Sequence, residues 1–548
     1  MRLIFSTFAG TKPAIAPRFL PPGQAVRAVN CDFSRKRLDP LPGLGAQTVL
    51  PQAGELLSLY PITPDVWLAW PGVVDVVRLS VSGGNGRIAY AGQTIGYPKQ
   101  TDIPLALAGP PAEMPNGWRR CGVLPPTTPL TVDIDGVAGP EFMATASYAY
   151  TMVTAWGEES RPGPITGVFS VNEGQYTRET GFAHDAASGN DYTHYRLYRL
   201  DASDASAEYL WLSDIAIDLV AIDTEEFIDP FLTPAGPETL PTQGWLPLPD
   251  ETTGLMQYHD ITVSWNDQEL RLSPLRVPYA YKKGVGVHTF PETLKGIGYF
   301  AETLVVVTSS GEHRLHGKNP SYMTREDVAY SRGCVSRRSL VSSPAGVFYA
   351  AADGLVLAGD AGSPLVTTSI LPEQWRALAP QTLIGFFWRG GYLGFFTGSG
   401  RGILFDVESA ELIEIELPSG TTVTGGYYNK DTDTIHLLLH VDGVGYRVAA
   451  WADDHEQPLT ALWQSPPQRL SPDTAFSLAK VEGDFSAGRT AQLTFTVDAV
   501  DVYTITVTSE EPFRLPLAAV GAEWQITSSG TAAVDRVWLV DSIEELDR

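Results

Sequence analysis

Histidines are the residues in this chain best suited to hold a metal, and two pairs lie close together: His313 with His316, and His436 with His440. Side chains alternate across a strand, so a spacing of three sends the first pair to opposite faces, while a spacing of four keeps the second on one face. Neither pair has a third ligand in a motif, and a protein zinc site takes at least three. We therefore expect no metal and no cofactor. A glycosidase's paired carboxylates are defined by their separation in space, so 63 acidic residues in linear order neither reveal nor exclude such a pair. The sequence has no Asp-box repeat, GxSxG elbow, HExxH helix or P-loop. The expectation is that the protein is not an enzyme.

Cys31, Cys121 and Cys334 are far apart and odd in number. With no CxxC pair, they read as buried free thiols from a reducing cytoplasm, not as a disulfide framework. The opening MRLIFSTFAGTKPAIA has an apolar run broken at Ser6 and Thr7, and reads as a first strand more than as a secretory leader. No stretch of eighteen apolar residues offers a transmembrane helix.

Charge is the unusual feature. The 63 acidic and 38 basic residues leave a net charge of −25, which repels nucleic-acid phosphate and anionic membranes. From Leu200 to Leu270 there are 15 acids and no Lys or Arg; from Arg271 to Leu340 there are 11 bases and 5 acids. Two solvated surfaces on different domains account for this reversal. So does a head-to-tail subunit contact in which one protomer's acidic face meets the next one's basic face. For that contact the candidates are Glu225 and Glu226 on the acidic side. On the basic side they are Arg337 and Arg338, which as strand neighbours would point to opposite faces and leave at least one exposed.

The elements that must position these groups are short strands. Alternating segments begin near Leu255, Leu294, Leu340, Leu383 and Val423, about forty residues apart, the spacing of β-propeller blades. Hairpin turns are expected at Asp353-Gly354 and Gly390-Gly391. The predicted class is all-β: a β-propeller-like core, an inserted β-sandwich of the fibronectin type III kind, and a C-terminal β-sandwich. The expected divisions are an extended lead-in over 1–54, then the first blade or blades with a Pro-rich linker over 55–130. The inserted sandwich follows over 142–244, propeller blades over 246–463, and over 465–548 a sandwich able to close the propeller. In YAYTMVTAW, Tyr148, Tyr150, Met152 and Trp156 share one face.

Several stretches also resemble, in the same order, those of phage tail nozzle proteins (tail tubular protein B): FLPPGQAVRAVNCDFSRKRLDPLPG, YAYTMVTAWGEES with YRLYRL and FIDP, ELRLSPLRVPYAY, LKGIGYFAETLVVVTSSGEHRLHGKNP, CVSRRSLV with YAAADGLVL, PFRLP, and WQITSSGTAAVDRVWLV. The resemblance implies a structural virion protein of a short-tailed bacteriophage. It would be assembled in the host cytoplasm as a homohexameric ring below the portal and adaptor, among the other tail proteins. DNA would pass through its lumen without specific binding, and no catalytic residue is implied. Two other readings stay open: a host-glycan-binding or glycan-degrading tail protein built on a propeller, and a secreted adhesin.

Overall fold

Strands make up nearly all the regular structure of the computed structural model, which describes residues 1–79, 81, 86–201, 208–217, 225–231, 235–516 and 519–546. Among them the longest helix is the six-residue Pro372–Ala377. The described residues are nearly all β, in short antiparallel meanders, as the recurring spacing predicts. It divides into two units: residues 1–60, 295–316 and 325–548 form one, and residues 61–294 and 317–324 the other.

The second unit holds two four-stranded antiparallel sheets and a sandwich. The first sheet runs through Val74–Arg78, Ile88–Gly92, Lys99–Thr101 and Arg119–Arg120 in chain order. The Pro-rich stretch expected to be a linker thus supplies two of its four strands. Strands of two or three residues are too short to display a period of two, which is why composition hid them. The other sheet comprises Gly254–Tyr258, Ile261–Trp265, Glu269–Leu272 and Val287–Thr289.

The sandwich begins upstream of the expected 142, at Thr131–Gly136. That strand pairs with Gln175–Thr180, which pairs with Phe227–Asp229. The opposing sheet orders Phe169–Asn172, Phe142–Thr154, Tyr192–Asp201 and Leu210–Ala216. Tyr148, Tyr150 and Met152 fill its core with Tyr195 and Leu197, as their alternation requires. Trp156 does not join them. The strand stops at Thr154, and the indole instead lies under the guanidinium of Arg87, 4.2 Å from ring centre to Cζ.

In the first unit, meanders recur over 295–316, 341–358, 383–416 and 421–450. The last of these takes Thr48–Val49 as its fourth strand. The hairpin at 350–355 contains Asp353-Gly354 as expected. The next turns one residue earlier than expected, at Arg389-Gly390, both with left-handed φ (47° and 83°). Gly391 serves a different need: a Cβ there would stand 2.7 Å from the Phe405 carbonyl oxygen of the neighbouring strand.

The N-terminal segment is built into these sheets. Arg27–Val29 lies between Glu411–Glu416, to which it is parallel, and Ala461–Gln464. It thereby splices the 383–416 meander into one sheet with Val520–Gly530, Ala491–Val497 and Val500–Val507. Arg2–Phe5 pairs with Ala533–Val540 in the facing sheet. The C-terminal sandwich closes over a core that includes Phe8, Trp463, Phe476, Phe495, Trp524 and Leu539.

Candidate functional site

The acidic stretch reaches the surface at a cleft of about 570 Å³ in the second unit. Local turn chemistry aims its carboxylates. Asn266 Oδ1 accepts the backbone N–H groups of Gln268 and Glu269 (3.1 and 2.8 Å), which folds the turn carrying Asp267 and Glu269. Thr252 donates its N–H and hydroxyl to the Pro249 carbonyl (3.1 and 2.7 Å), setting Asp250 and Glu251 on the facing rim. Two buried arginines lie behind them: Arg120 pairs with Asp250, and Arg271 pairs with Glu269 and reaches to 3.9 Å from Glu251.

Asp250 and Glu251 keep about two thirds of their side chains in water (65% and 63%), so the cleft presents anionic oxygens outward. No histidine, cysteine or serine lines it. The arrangement suits a cationic surface.

Among the described residues, several other acids of this stretch are engaged within the chain. Asp214 binds Arg196 (2.8 Å), Asp229 binds Arg199 (2.7 Å) and Asp260 lies 3.5 Å from Arg276. Glu226 is exposed and pairs with Arg178 at 3.1 Å; Glu225 beside it is half-buried. On the basic side, Arg314 binds Glu312, Arg325 binds Asp327 and Arg332 binds Asp353. Much of the charge reversal visible in the sequence is thus consumed in internal ion pairs.

The geometry behind the choice of Arg337 and Arg338 differs from the one expected. Arg337–Ser339 is a 3-10 turn, not a strand, so the two side chains do not simply alternate. Arg338 turns inward and donates to the Leu57 and Thr424 carbonyl oxygens, each at 2.8 Å. Burial lowers its guanidinium from the usual value. Arg338 braces the fold here, and the surface described above carries the exposed charge.

The histidine pairs also find partners. On Glu312–His316, His313 approaches Asp327 (2.6 Å) and His316 approaches Glu326 (2.9 Å). His440 lies 3.9 Å from Asp442, and burial lowers the His436 imidazole. Among the described residues no three His, Cys, Asp or Glu converge as metal ligands would. Cys31, Cys121 and Cys334 are buried, free thiols, and burial pushes each upward, Cys31 to about 12 and Cys334 to about 11.

Sequence reasoning missed a buried polar network between the 74–120 sheet and the sandwich. Glu158, on the turn after the long sandwich strand, accepts from Arg87 and from Gln100 Nε2 (2.7 Å). Gln100 Oε1 in turn accepts from Arg87 (2.7 Å), and its amide donates to the Arg120 carbonyl (3.2 Å). Burial raises the Glu158 carboxyl, opposed by Arg87 and Gln100. The only sequence signal was the GEES turn itself.

No family model matches the chain, and no curated protein matches it. Among solved structures, glutaminyl cyclase of Myxococcus xanthus is similar at 11% identity over 36% of this chain and 89% of that one, with a TM-score of 0.23. Hsv2 of Kluyvelomyces marxianus is similar at 8% identity over 62% of this chain and 95% of that one, with a TM-score of 0.26. Likenesses at this level carry no argument about what the chain does.

Proposed function

We propose that this protein is a structural component of a short-tailed phage's tail, a nozzle subunit that assembles head to tail into a ring around the DNA exit channel beneath the adaptor and portal. The observation that carries the reading is the collinear series of nozzle-like stretches running from the FLPPG segment to the WQITSSG strand. Six copies are the expected ring. The all-β build fits such a part, because sheets spliced by Arg27–Val29 and braced by buried guanidiniums resist bending. The net charge of −25 would let DNA slide past without adhering. The acidic cleft at Asp250, Glu251 and Asp267 is the face offered to a neighbour's basic surface.

Electron microscopy of the protein mixed with its adaptor tests this reading. Closed rings are expected; single copies on every adaptor assembly would refute it. Within that experiment Glu251→Lys with Asp267→Lys should reduce ring yield. Assembly that survives both this reversal and about 1 M salt, where screening extends only ~3 Å, would place the contact elsewhere.

A further inference from the structure

A recess of about 340 Å³ opens in the first unit beside the parallel junction of Arg27–Val29 with Glu411–Glu416. Phe8 and Ile413, both buried, and the partly buried Leu404 form its apolar lining. Half-buried Trp388 and Phe33 also line it, and Asp32, Arg389, Asp406 and Glu411 supply its charge, the Glu411 carboxylate being held by the Gly10 N–H (2.9 Å) and the Gln24 amide (3.0 Å). The left-handed Arg389-Gly390 turn delivers Arg389, whose guanidinium carbon lies 4.4 Å from the Trp388 ring centre. Its NH1 is 2.8 Å from Asp32 Oδ2, while the Ser34 N–H holds Asp32 Oδ1 at 2.9 Å.

This lining makes three demands on an occupant. It offers flat apolar surface, strong acceptors in Asp32 and Asp406, and a strong donor in Arg389. An anion would meet three carboxylates, Asp32, Asp406 and Glu411, and a cation would meet Arg389. A neutral ring carrying several hydroxyls uses all three, because a hydroxyl both donates and accepts while the ring's C–H face covers aromatic carbon. We propose that this recess is a saccharide-binding subsite that takes a pyranose ring. Adjacent hydroxyls would bridge Asp32 and Arg389, another would donate to Asp406, and the C–H face would lie toward Phe33 and Trp388. A volume of about 340 Å³, at the small end of ligand pockets, suits a mono- or disaccharide. The inference is independent of ring assembly, since each protomer carries the whole recess.

The test is saturation-transfer NMR on the full-length protein with methyl pyranosides of glucose, galactose, mannose and N-acetylglucosamine, and with agmatine as a cationic probe of similar size. At least one pyranoside should show transfer to its ring C–H protons with millimolar affinity. Arg389→Gly should weaken it about tenfold, equivalent to ~1.4 kcal/mol. That variant suits the fold because glycine accepts the left-handed backbone there. Trp388→Ala, checked for native circular dichroism, should also remove the transfer. Silence from every pyranoside, transfer unchanged in Arg389→Gly, or saturation by agmatine alone would each overturn the proposal.

Discussion

Raising the pH through neutrality should loosen the 131–229 sandwich, because its core holds a carboxyl that prefers its proton. Glu179 is fully buried on Gln175–Thr180, and among the described residues no cation pairs with it. Asp229 stands nearby with its own charge answered by Arg199 at 2.7 Å and by the Tyr148 hydroxyl at 2.7 Å. Burial first, and Asp229's charge in addition, raise the Glu179 carboxyl from 4.5 to about 7, while Thr177 and Tyr148 partly oppose the shift. This is the reverse of a salt-bridged acid. Between those two values the folded sandwich keeps a proton that the open chain has released, so stability declines as pH rises. The decline begins near 4.5 and is complete above about 7. At ~1.36 kcal/mol per pH unit, the whole loss is about 3 kcal/mol.

Hydrogen exchange on the intact chain reads this out. Core amides of Phe142–Thr154 that exchange only on sandwich opening should be roughly a hundredfold less protected at about pH 8 than at about pH 5, after correction for intrinsic exchange. Glu179→Gln should flatten that slope and be the more stable form at the higher pH, since its amide is neutral throughout. Equal protection of the wild type across the range, or an unchanged slope in Glu179→Gln, would refute the reasoning.

Other outcomes follow from the same physics. Glu158→Ala leaves Arg87 buried without its anion and should cost about 3–5 kcal/mol; urea unfolding measures it, and Glu158→Gln should be milder because Gln100 and Arg87 retain an acceptor. Arg338→Ala strips the Leu57 and Thr424 carbonyls of their donor and should destabilise the first unit by about 2–3 kcal/mol, with any loss of ring assembly tracking that instability and not the charge. Phe8→Ala empties the space against Trp463, where the rings meet edge to face at 4.9 Å. It should cost about 3–5 kcal/mol, as a fall in the denaturant midpoint, although Phe8 lies in a segment that reads as an extended lead-in.

What the sequence determined by itself is local. Period-two alternation and a forty-residue recurrence identify an all-β chain of blade-like meanders, because a strand's side-chain period is written in consecutive residues. The inward row of Tyr148, Tyr150 and Met152 is legible for the same reason, and so is the Asp353-Gly354 hairpin. What only the tertiary structure decided involves partners distant along the chain. Arg27–Val29 reads as a lead-in until Glu411–Glu416 and Ala461–Gln464 close around it. Lys99–Thr101 is too short to announce itself and is a strand because Ile88–Gly92 supplies its hydrogen bonds. The fate of a charge is the hardest thing to read. Arg338, Glu158 and Glu179 look like solvated residues in one dimension. Whether each meets water, a carbonyl, a guanidinium or another carboxylate depends on segments that in several cases lie tens to hundreds of residues away, and the cost of burying an ion is set by those neighbours, not by its own place in the sequence.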